Sequence, residues 1–247
     1  MIVLNGARAG FGLPSPSQFV SKAEVLLKMA GVPYRHVDAD FSRAPKGKIP
    51  FIEEGGRLIG DTSFIRRHLE DVHGADFDKG LTPAEKAVAR AFAVMADEHL
   101  YWAVVYDRWM DRDNFDRGPR RFFAKVPAPM RPVVTAMVRR GVKASLKGHG
   151  LGRHSRDEIH TLARSDIDAI ADFLATKPFL MGAEPCGADA SVWSAVAQVL
   201  CARFETPLRH HAAARPNLVA YRDRGMARWF PDLARGSAAR PAARPAA

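Results

Sequence analysis

The sequence predicts a small α/β domain followed by a larger all-helical domain. Over residues 1–75, short apolar runs alternate with a helical apolar pattern, and glycine or proline stands between them. From Thr82 to about Phe230, every periodic stretch has the helical spacing of apolar residues. At 247 residues the chain is long enough for two ordinary domains with an ample core.

The first 75 residues predict the element order β-α-β followed by β-β-α. Apolar spacing indicates a helix over residues 17–30, and this helix ends at Gly31 because Pro33 cannot continue it. The sequence Glu54-Gly55-Gly56 predicts a hairpin turn. Strands are expected at residues 2–5, 34–39, 50–53 and 57–60, and a second helix at 61–73. This order is typical of a domain of thioredoxin type.

The rest of the chain predicts a linker, a helical domain and a tail. The linker is expected over residues 76–83, where Thr82 and Pro83 mark a helix start with proline at its first position. The helical domain is expected over residues 84–233, with helices at 84–110 (one long helix or two in series), 133–146, 157–176, 188–203 and 217–227. Residues 234–247 have too little apolar bulk to pack, so they predict a disordered Ala/Arg/Pro tail.

The net charge of +10 suggests nucleic acid as a partner class. The basic residues are spread widely, however, and no RNA-binding or helix-turn-helix signature accompanies them. We therefore expect no nucleic-acid partner. No stretch approaches the roughly 18 apolar residues of a membrane span, and the N-terminus lacks the pattern of a signal peptide. These features predict a cytoplasmic protein.

The positions of the cysteines and histidines indicate whether a disulfide or a metal site is expected. If Cys186 and Cys201 lie along one helical stretch, they are too far apart for a disulfide, which fits a reducing compartment. The nine histidines show no ligand spacing along the chain, so we predict no metal site.

Residues 46–69 carry the clearest functional pattern. Ile49 precedes Pro50, and proline readily allows a cis peptide that would turn the backbone of Ile49 outward, toward a bound peptide. Downstream, Asp61 and Thr62 can cap a helix whose free N–H groups bind a carboxylate. A peptide-binding edge near an anion-binding helix start predicts a small acidic peptide as ligand.

Several motifs, in order, resemble those of the glutathione transferase superfamily. They are Ser15-Pro16-Ser17-Gln18-Phe19, Ile49-Pro50, Asp61-Thr62 before a helix, and the run from Gly182 to Asp189. Longer strings at residues 44–56, 150–159, 177–185 and 216–232 look like the Fax/metaxin-like branch in its bacterial form. The resemblance covers about residues 1–233. It implies the glutathione transferase fold, an α/β thioredoxin-like N-terminal domain followed by an all-α C-terminal domain.

The resemblance also implies roles for individual residues. Ser17 would be catalytic and stabilise a glutathione thiolate, with Ser15 as a rival in the same loop. Ile49, Pro50, Asp61 and Thr62 would bind glutathione. Each polar residue has a structural alternative, since Ser17, Asp61 and Thr62 are also good helix caps. The family's thiol-bearing string is absent here, because Val20 stands where that branch has cysteine.

A further set of residues is expected in the helical domain. Trp102, Tyr106 and Trp109 recur at helical spacing on one face, where the family has a hydrophobic-substrate pocket, although such stripes also form cores. Arg108 is a candidate for steering the glutathione carboxylate. Residues 133–147 form an amphipathic stretch with cations to one side, which suits an ordinary surface helix or peripheral contact with a membrane.

Together these patterns predict a glutathione S-transferase-like enzyme. Its co-substrate would be glutathione, its second substrate a small electrophile, and its oligomeric state a homodimer, with no metal. The alternative is a non-catalytic binding or scaffold protein of metaxin-like type. The short connection over residues 40–48 favours that alternative, because it leaves little room for the helix that contacts the glycine end of glutathione in ordinary transferases.

Overall fold

The computed structural model describes residues 1–238, and its first part is a four-stranded mixed sheet with two helices. The sheet order is β2-β1-β3-β4, with β1 parallel to β2 and antiparallel to β3, and β3 antiparallel to β4. The elements are β1 (Ile2–Asn5), α1 (Gln18–Met29), β2 (Tyr34–Val37), β3 (Phe51–Glu54), β4 (Arg57–Gly60) and α2 (Thr62–His73). The predicted order β-α-β, β-β-α is confirmed.

Local chemistry explains where these two helices begin and end. The Ser17 hydroxyl accepts a hydrogen bond from the backbone N–H of Val20 and caps α1. Gly74 ends α2 in the left-handed conformation that glycine adopts at low cost. Directly after β1, a Cβ on Gly6 would lie 2.7 Å from a methyl carbon of Val20, so only glycine allows the chain to pass this close to α1.

The connection between β2 and β3 is short, as the sequence indicated. It contains a single 3₁₀ turn, Phe41–Arg43, which Asp40 caps by accepting a hydrogen bond from the backbone N–H of Ser42 at 2.9 Å. No α-helix lies in this connection, all of which the structure describes.

The following part of the chain is helical. Its α-helices are α3 (Pro83–Val94), α4 (Tyr101–Trp109), α5 (Arg112–Arg117), α6 (Arg131–His149), α7 (Arg156–Leu174), α8 (Gly187–Val199), α9 (Pro207–Ala213), α10 (Pro216–Trp229) and α11 (Pro231–Ala238). Helix α8 is buried along its whole length, with Trp193 at its centre and fully inaccessible. It is therefore the core element of this part of the chain.

A π-helical turn, Met95–Leu100, joins α3 to α4. Two side chains of this turn make polar contacts with other helices: His99 Nδ1 lies 2.5 Å from Asp166 Oδ2, and Asp97 accepts a hydrogen bond from Ser191 at 3.0 Å. The sequence left one long helix and two in series open for residues 84–110. The structure has two α-helices separated by this turn.

Three short helices were absent from the sequence prediction. Helices α5 and α9 have 6 and 7 residues, too few for an apolar period to stand out. Helix α11 begins with Pro231 at its first position and continues to Ala238, with an Asp232–Arg235 ion pair three residues apart. Residues 234–238, which the sequence assigned to a disordered tail, are thus helical. The rest of that predicted tail lies outside the described residues.

The chain divides into two compact units. The first unit consists of Met1–Phe77 together with the chain from Val219 onward, and the second unit is Asp78–Leu218. The predicted boundaries of the linker and the helical domain stay predictions. Within the described residues, no helix is long and apolar enough to cross a membrane.

Candidate functional site

Ser17 and Ser15 occupy one loop of the first unit but have different surroundings. Ser15 is completely buried, and its hydroxyl oxygen accepts a hydrogen bond from the backbone N–H of Ser17 at 3.1 Å. Ser17 is partly exposed, and its hydroxyl oxygen accepts a hydrogen bond from the Val20 N–H at 3.4 Å. Because a hydroxyl carries one donor and two acceptor positions, capping leaves the Ser17 O–H able to donate.

The peptide bond between Ile49 and Pro50 is cis. Pro50 is buried, Ile49 is partly exposed, and both directly precede β3.

Asp61 has a backbone conformation that is unusual for its residue type. Its φ is +80°, a value at which residues other than glycine are rarely found. Its carboxylate Oδ1 accepts a hydrogen bond from the backbone N–H of Ser63 at 2.9 Å. Asp61 is exposed, whereas the adjacent Thr62 is only 4% exposed. The carboxylate is thus available to solvent at the start of α2, while Thr62 faces the protein.

Strand register places these three segments at one end of the sheet. Asn5, the last residue of β1, is paired with Phe51, the first residue of β3, and Phe51 is paired with Gly60, the last residue of β4. The loop that leads to Ser17 follows Asn5, Pro50 precedes Phe51, and Asp61 follows Gly60. The structure therefore brings the predicted glutathione-binding segments to the same edge of the first unit.

The three aromatic residues predicted as a substrate pocket all lie on α4, in the second unit. Trp102 stacks on His149 with ring centroids 4.8 Å apart, and Trp109 lies near Phe115 at 5.8 Å. Trp102, Tyr106 and Trp109 are each partly exposed. Trp102 and Trp109 thus make ring contacts of the kind found in a core, while all three residues keep part of their surface exposed.

Arg108, a candidate for steering a carboxylate, is a core residue instead. It is 7% exposed, donates a hydrogen bond to the backbone carbonyl of Gln198 at 2.9 Å and lies over the ring of Phe204. Burial lowers the pKa of this guanidinium to about 10. The sequence could not show this, because an arginine within an amphipathic helix is ordinarily exposed.

Both cysteines are buried, and neither forms a disulfide. Burial raises the pKa of the Cys186 thiol to about 12, and Asp189 adds to this effect. Burial also raises the pKa of Cys201. Neither thiol has the solvent exposure of a reactive cysteine.

Sequence reasoning missed one cluster, formed by Glu54, His68 and His73. The two histidine Nε2 atoms lie 2.7 Å and 2.9 Å from the same Glu54 carboxylate oxygen, Oε2. Because Glu54 lies 14 and 19 residues from its partners, no spacing along the chain shows the cluster. Only the packing of α2 against β3 brings the three together.

Comparison with known proteins agrees with this architecture. Residues 18–114 match the family described as Glutathione S-transferase N-terminal domain, and residues 163–225 match Glutathione S-transferase, C-terminal domain. The structure is similar to glutathione S-transferase III in its apo form, with a TM-score of 0.59, 18% identity, and 99% of each chain covered. It is also similar to a glutathione S-transferase from Methylobacterium radiotolerans in complex with glutathione sulfonate. The TM-score is 0.63 and the identity 20%, and the match covers 100% of this chain and 97% of that chain. These structures show the fold: a thioredoxin-like domain followed by a helical domain.

Relatives in sequence show which class of protein this chain belongs to. The chain is 30% identical to isoprene-epoxide–glutathione S-transferase of Rhodococcus sp. (strain AD45), over 91% of this chain and 97% of the relative. It is 30% identical to Failed axon connections of Drosophila melanogaster, over 89% of this chain but only 56% of that protein. It is 23% identical to human Metaxin-2, over 86% of this chain and 82% of that protein. The chain belongs to the glutathione S-transferase superfamily, in its Fax/metaxin-like branch.

Proposed function

We propose that this protein binds glutathione in its first unit and activates the thiol for attack on a small electrophile. The observation that carries the proposal is the geometry of Ser17, a partly exposed hydroxyl at the start of α1 whose O–H is left to donate. A full-length relative named for the conjugation of isoprene epoxide with glutathione supports the same activity.

In this proposal Ser17 acts on the sulfur of glutathione. A donated hydrogen bond favours the charged thiolate over the thiol, and the N-terminus of α1 adds a partial positive charge. A free thiol has a pKa near 8.5. Each unit by which that pKa falls requires about 1.4 kcal/mol of preferential stabilisation, which a charge-assisted hydrogen bond can supply. Buried Ser15 instead fixes the loop that presents Ser17.

The peptide part of glutathione would be held at the other two segments. The ammonium of its γ-glutamyl residue would pair with the exposed carboxylate of Asp61, and its carboxylate would accept from backbone N–H groups at the start of α2. The Thr62 side chain is too buried to offer more than a small contact. The backbone of Ile49, just before Pro50, is our candidate for pairing with the peptide.

The proposal also covers the electrophile site, the oligomeric state and the location of the protein. Trp102, Tyr106 and Trp109 are proposed to contact the electrophile, and attack by the sulfur gains from holding the two reactants together. A homodimer is proposed on the family resemblance, and a cytoplasmic location on the two cysteines, which form no disulfide. Light scattering on the purified protein tests the dimer.

The relatives also favour a second candidate function, a non-catalytic binding or scaffold protein. Failed axon connections and Metaxin-2 match most of this chain. The short β2–β3 connection has only a 3₁₀ turn, so one source of contacts to the glycine end of glutathione is reduced. This function would keep the fold and lose the thiol chemistry.

A thermal shift titration with glutathione tests the proposal. Glutathione at 100 times its dissociation constant should stabilise the wild type by about 2.7 kcal/mol. The matched variant is Asp61→Asn, which keeps an oxygen for the Ser63 N–H but loses the charge, so glutathione should bind about tenfold more weakly. Asp71→Asn, an exposed residue later on α2, serves as the control. A wild type that does not respond to several millimolar glutathione would contradict glutathione binding, and binding without turnover would favour the scaffold function.

A further inference from the structure

Three metal-binding side chains converge at the end of the sheet opposite the candidate glutathione site. Glu54 is the last residue of β3, whereas Pro50 and Phe51 stand at its start. His68 and His73 lie on the second half of α2, and His73 is its final residue. Along the helix axis His73 is about 18 Å from Asp61. The cluster is therefore separate from the proposed glutathione site.

The donor atoms of this cluster already face one another. His68 Nε2 lies 2.7 Å from Glu54 Oε2, His73 Nε2 lies 2.9 Å from the same oxygen, and all three ligand atoms lie within 4.8 Å of one another. The imidazole rings meet edge to face, with centroids 5.7 Å apart. The three side chains are 12%, 21% and 23% exposed for His68, Glu54 and His73. An ion from solution can thus reach atoms that are largely held in place.

We propose that Glu54, His68 and His73 form a binding site for a divalent transition-metal ion, with zinc as the best fit. Two imidazole nitrogens and one carboxylate oxygen are a donor set that zinc uses when one coordination position stays open to water. Magnesium and calcium prefer sets made wholly of oxygen, so the two histidines disfavour them. Histidine spacing along the chain does not show this site, because its ligands come from a strand and a helix.

Binding requires a defined change at the cluster. Without an ion, each histidine contacts the carboxylate through Nε2. Coordination needs the Nε2 lone pair, so a neutral imidazole that carries its proton on Nε2 changes to the Nδ1–H tautomer, and an imidazolium releases one proton to solvent. The two nitrogens now contact the carboxylate oxygen directly. A central ion with ligand distances of about 2.0–2.2 Å must fit between these atoms, so the side chains have to move apart modestly. Partial exposure leaves room for a water molecule as fourth ligand.

The consequence of binding is a cross-link between the β3–β4 hairpin and the C-terminal turn of α2. Both elements belong to the first unit, and α2 packs against β3 and β4. The ion would add a link between them that is absent from the unfolded chain, so the folded first unit gains stability with the logarithm of the ion concentration relative to its dissociation constant. The role assigned here is structural, and the site lies away from any reacting sulfur.

Calorimetric titration of zinc chloride into tag-free, chelator-stripped full-length protein tests the site. We expect one equivalent of zinc to bind and to raise the melting temperature. Glu54→Gln, His68→Gln and His73→Gln should each weaken zinc binding by at least about tenfold. The control is His154→Gln, because His154 is exposed and lies 3.9 Å from Glu158, and no third ligand joins this pair among the described residues.

Cobalt provides a second, spectroscopic test on the same proteins. Cobalt(II) bound by two nitrogens and oxygen in four-coordinate geometry should give visible absorption bands that zinc removes by displacement. Circular dichroism without metal shows whether each variant is folded, and Glu54→Gln changes shape least. Absence of tight zinc binding by the wild type, or equal loss in His154→Gln and the cluster variants, would overturn the proposal.

Discussion

The buried Ser15 hydroxyl accepts a hydrogen bond from the backbone N–H of Ser17 at 3.1 Å, and so fixes the residue that caps α1. This contact assigns different roles to two serines that the sequence could not separate. Ser15 satisfies a backbone donor inside the protein, whereas Ser17 keeps an O–H at the surface. The first prediction follows from that difference.

Replacing Ser17 with alanine should reduce the rate of glutathione conjugation near neutral pH by about tenfold, since losing one unit of thiol pKa shift costs a factor of ten in thiolate. The rate–pH profile should move to higher pH. Glutathione should still produce a thermal shift, because its peptide part contacts other residues. Steady-state kinetics with an epoxide substrate measures the effect.

Replacing Ser17 with alanine also removes the N-cap of α1, so the effect of capping has to be separated from the effect on the thiol. Ser17→Ala also costs about 1 kcal/mol of stability. Ser17→Thr keeps both the cap and the O–H and should recover most of the activity. Ser17→Asp keeps the cap but offers no donor, so it should stay inactive although folded. Equal activity of Ser17→Asp and the wild type would assign the serine to capping alone.

A buried carboxylate at the start of α8 leads to a prediction about stability. Asp189 is fully buried, and its two oxygens accept from the backbone N–H groups of Leu180 at 2.9 Å and Cys186 at 2.8 Å. Asp189→Ala leaves both donors without this acceptor, which costs about 1–3 kcal/mol for each. Urea unfolding should show a loss of about 3 kcal/mol or more. Asp172→Ala, at an exposed position of α7, should change stability little.

The sequence predicted those features of the fold that arise from local signals. The apolar period of α1 and the stop at Gly31 are both visible within a few residues. The grouping of Ser17, Ile49 and Asp61 at one edge required the additional knowledge of strand order. That order is seen in the structure, where β3 lies between β1 and β4.

Features that depend on packing between distant segments were not predictable. Arg108 looks like a surface cation in the sequence, yet it lies in the core against Phe204. Glu54 and its two histidines are spread over a strand and a helix. Asp61 and Ala175 have positive φ although neither is glycine, and no propensity indicates such a conformation in advance. In each case tertiary contacts outweigh the local preference.

An ion-pair cluster of the second unit gives a pH prediction. Asp168 of α7 lies 2.7 Å from His211 Nε2 and 2.5 Å from Arg215 Nη2. Partial burial by itself raises the pKa of Asp168, but the hydrogen bonds and charges of His211 and Arg215 together outweigh it and hold the pKa below its ordinary value of 3.8. An acid with a lowered folded-state pKa contributes stability above its unfolded pKa.

Asp168→Asn should therefore destabilise the protein at pH 7 by about 0.5–1 kcal/mol, as expected for a partly exposed ion pair. The difference from the wild type should shrink as the pH falls below about 3.8 and vanish below the folded-state pKa, where both side chains are neutral. Urea unfolding at pH values from 7 to 3 measures it. Asp172→Asn on the same helix is the control. A difference that stays constant with pH would show that charge is not its origin.

The residue after α7 is strained and offers a route to a more stable protein. Ala175 has φ +48° and ψ −117°, a conformation that glycine adopts far more readily than alanine. Ala175→Gly should relieve this strain and stabilise the protein by about 1 kcal/mol, after allowing for the greater freedom of glycine in the unfolded chain. The melting temperature should rise by about 2–4 °C. Ala169→Gly, inside the same helix, should lower stability by about 1 kcal/mol, so opposite signs for the two substitutions would trace the gain to the backbone conformation at Ala175.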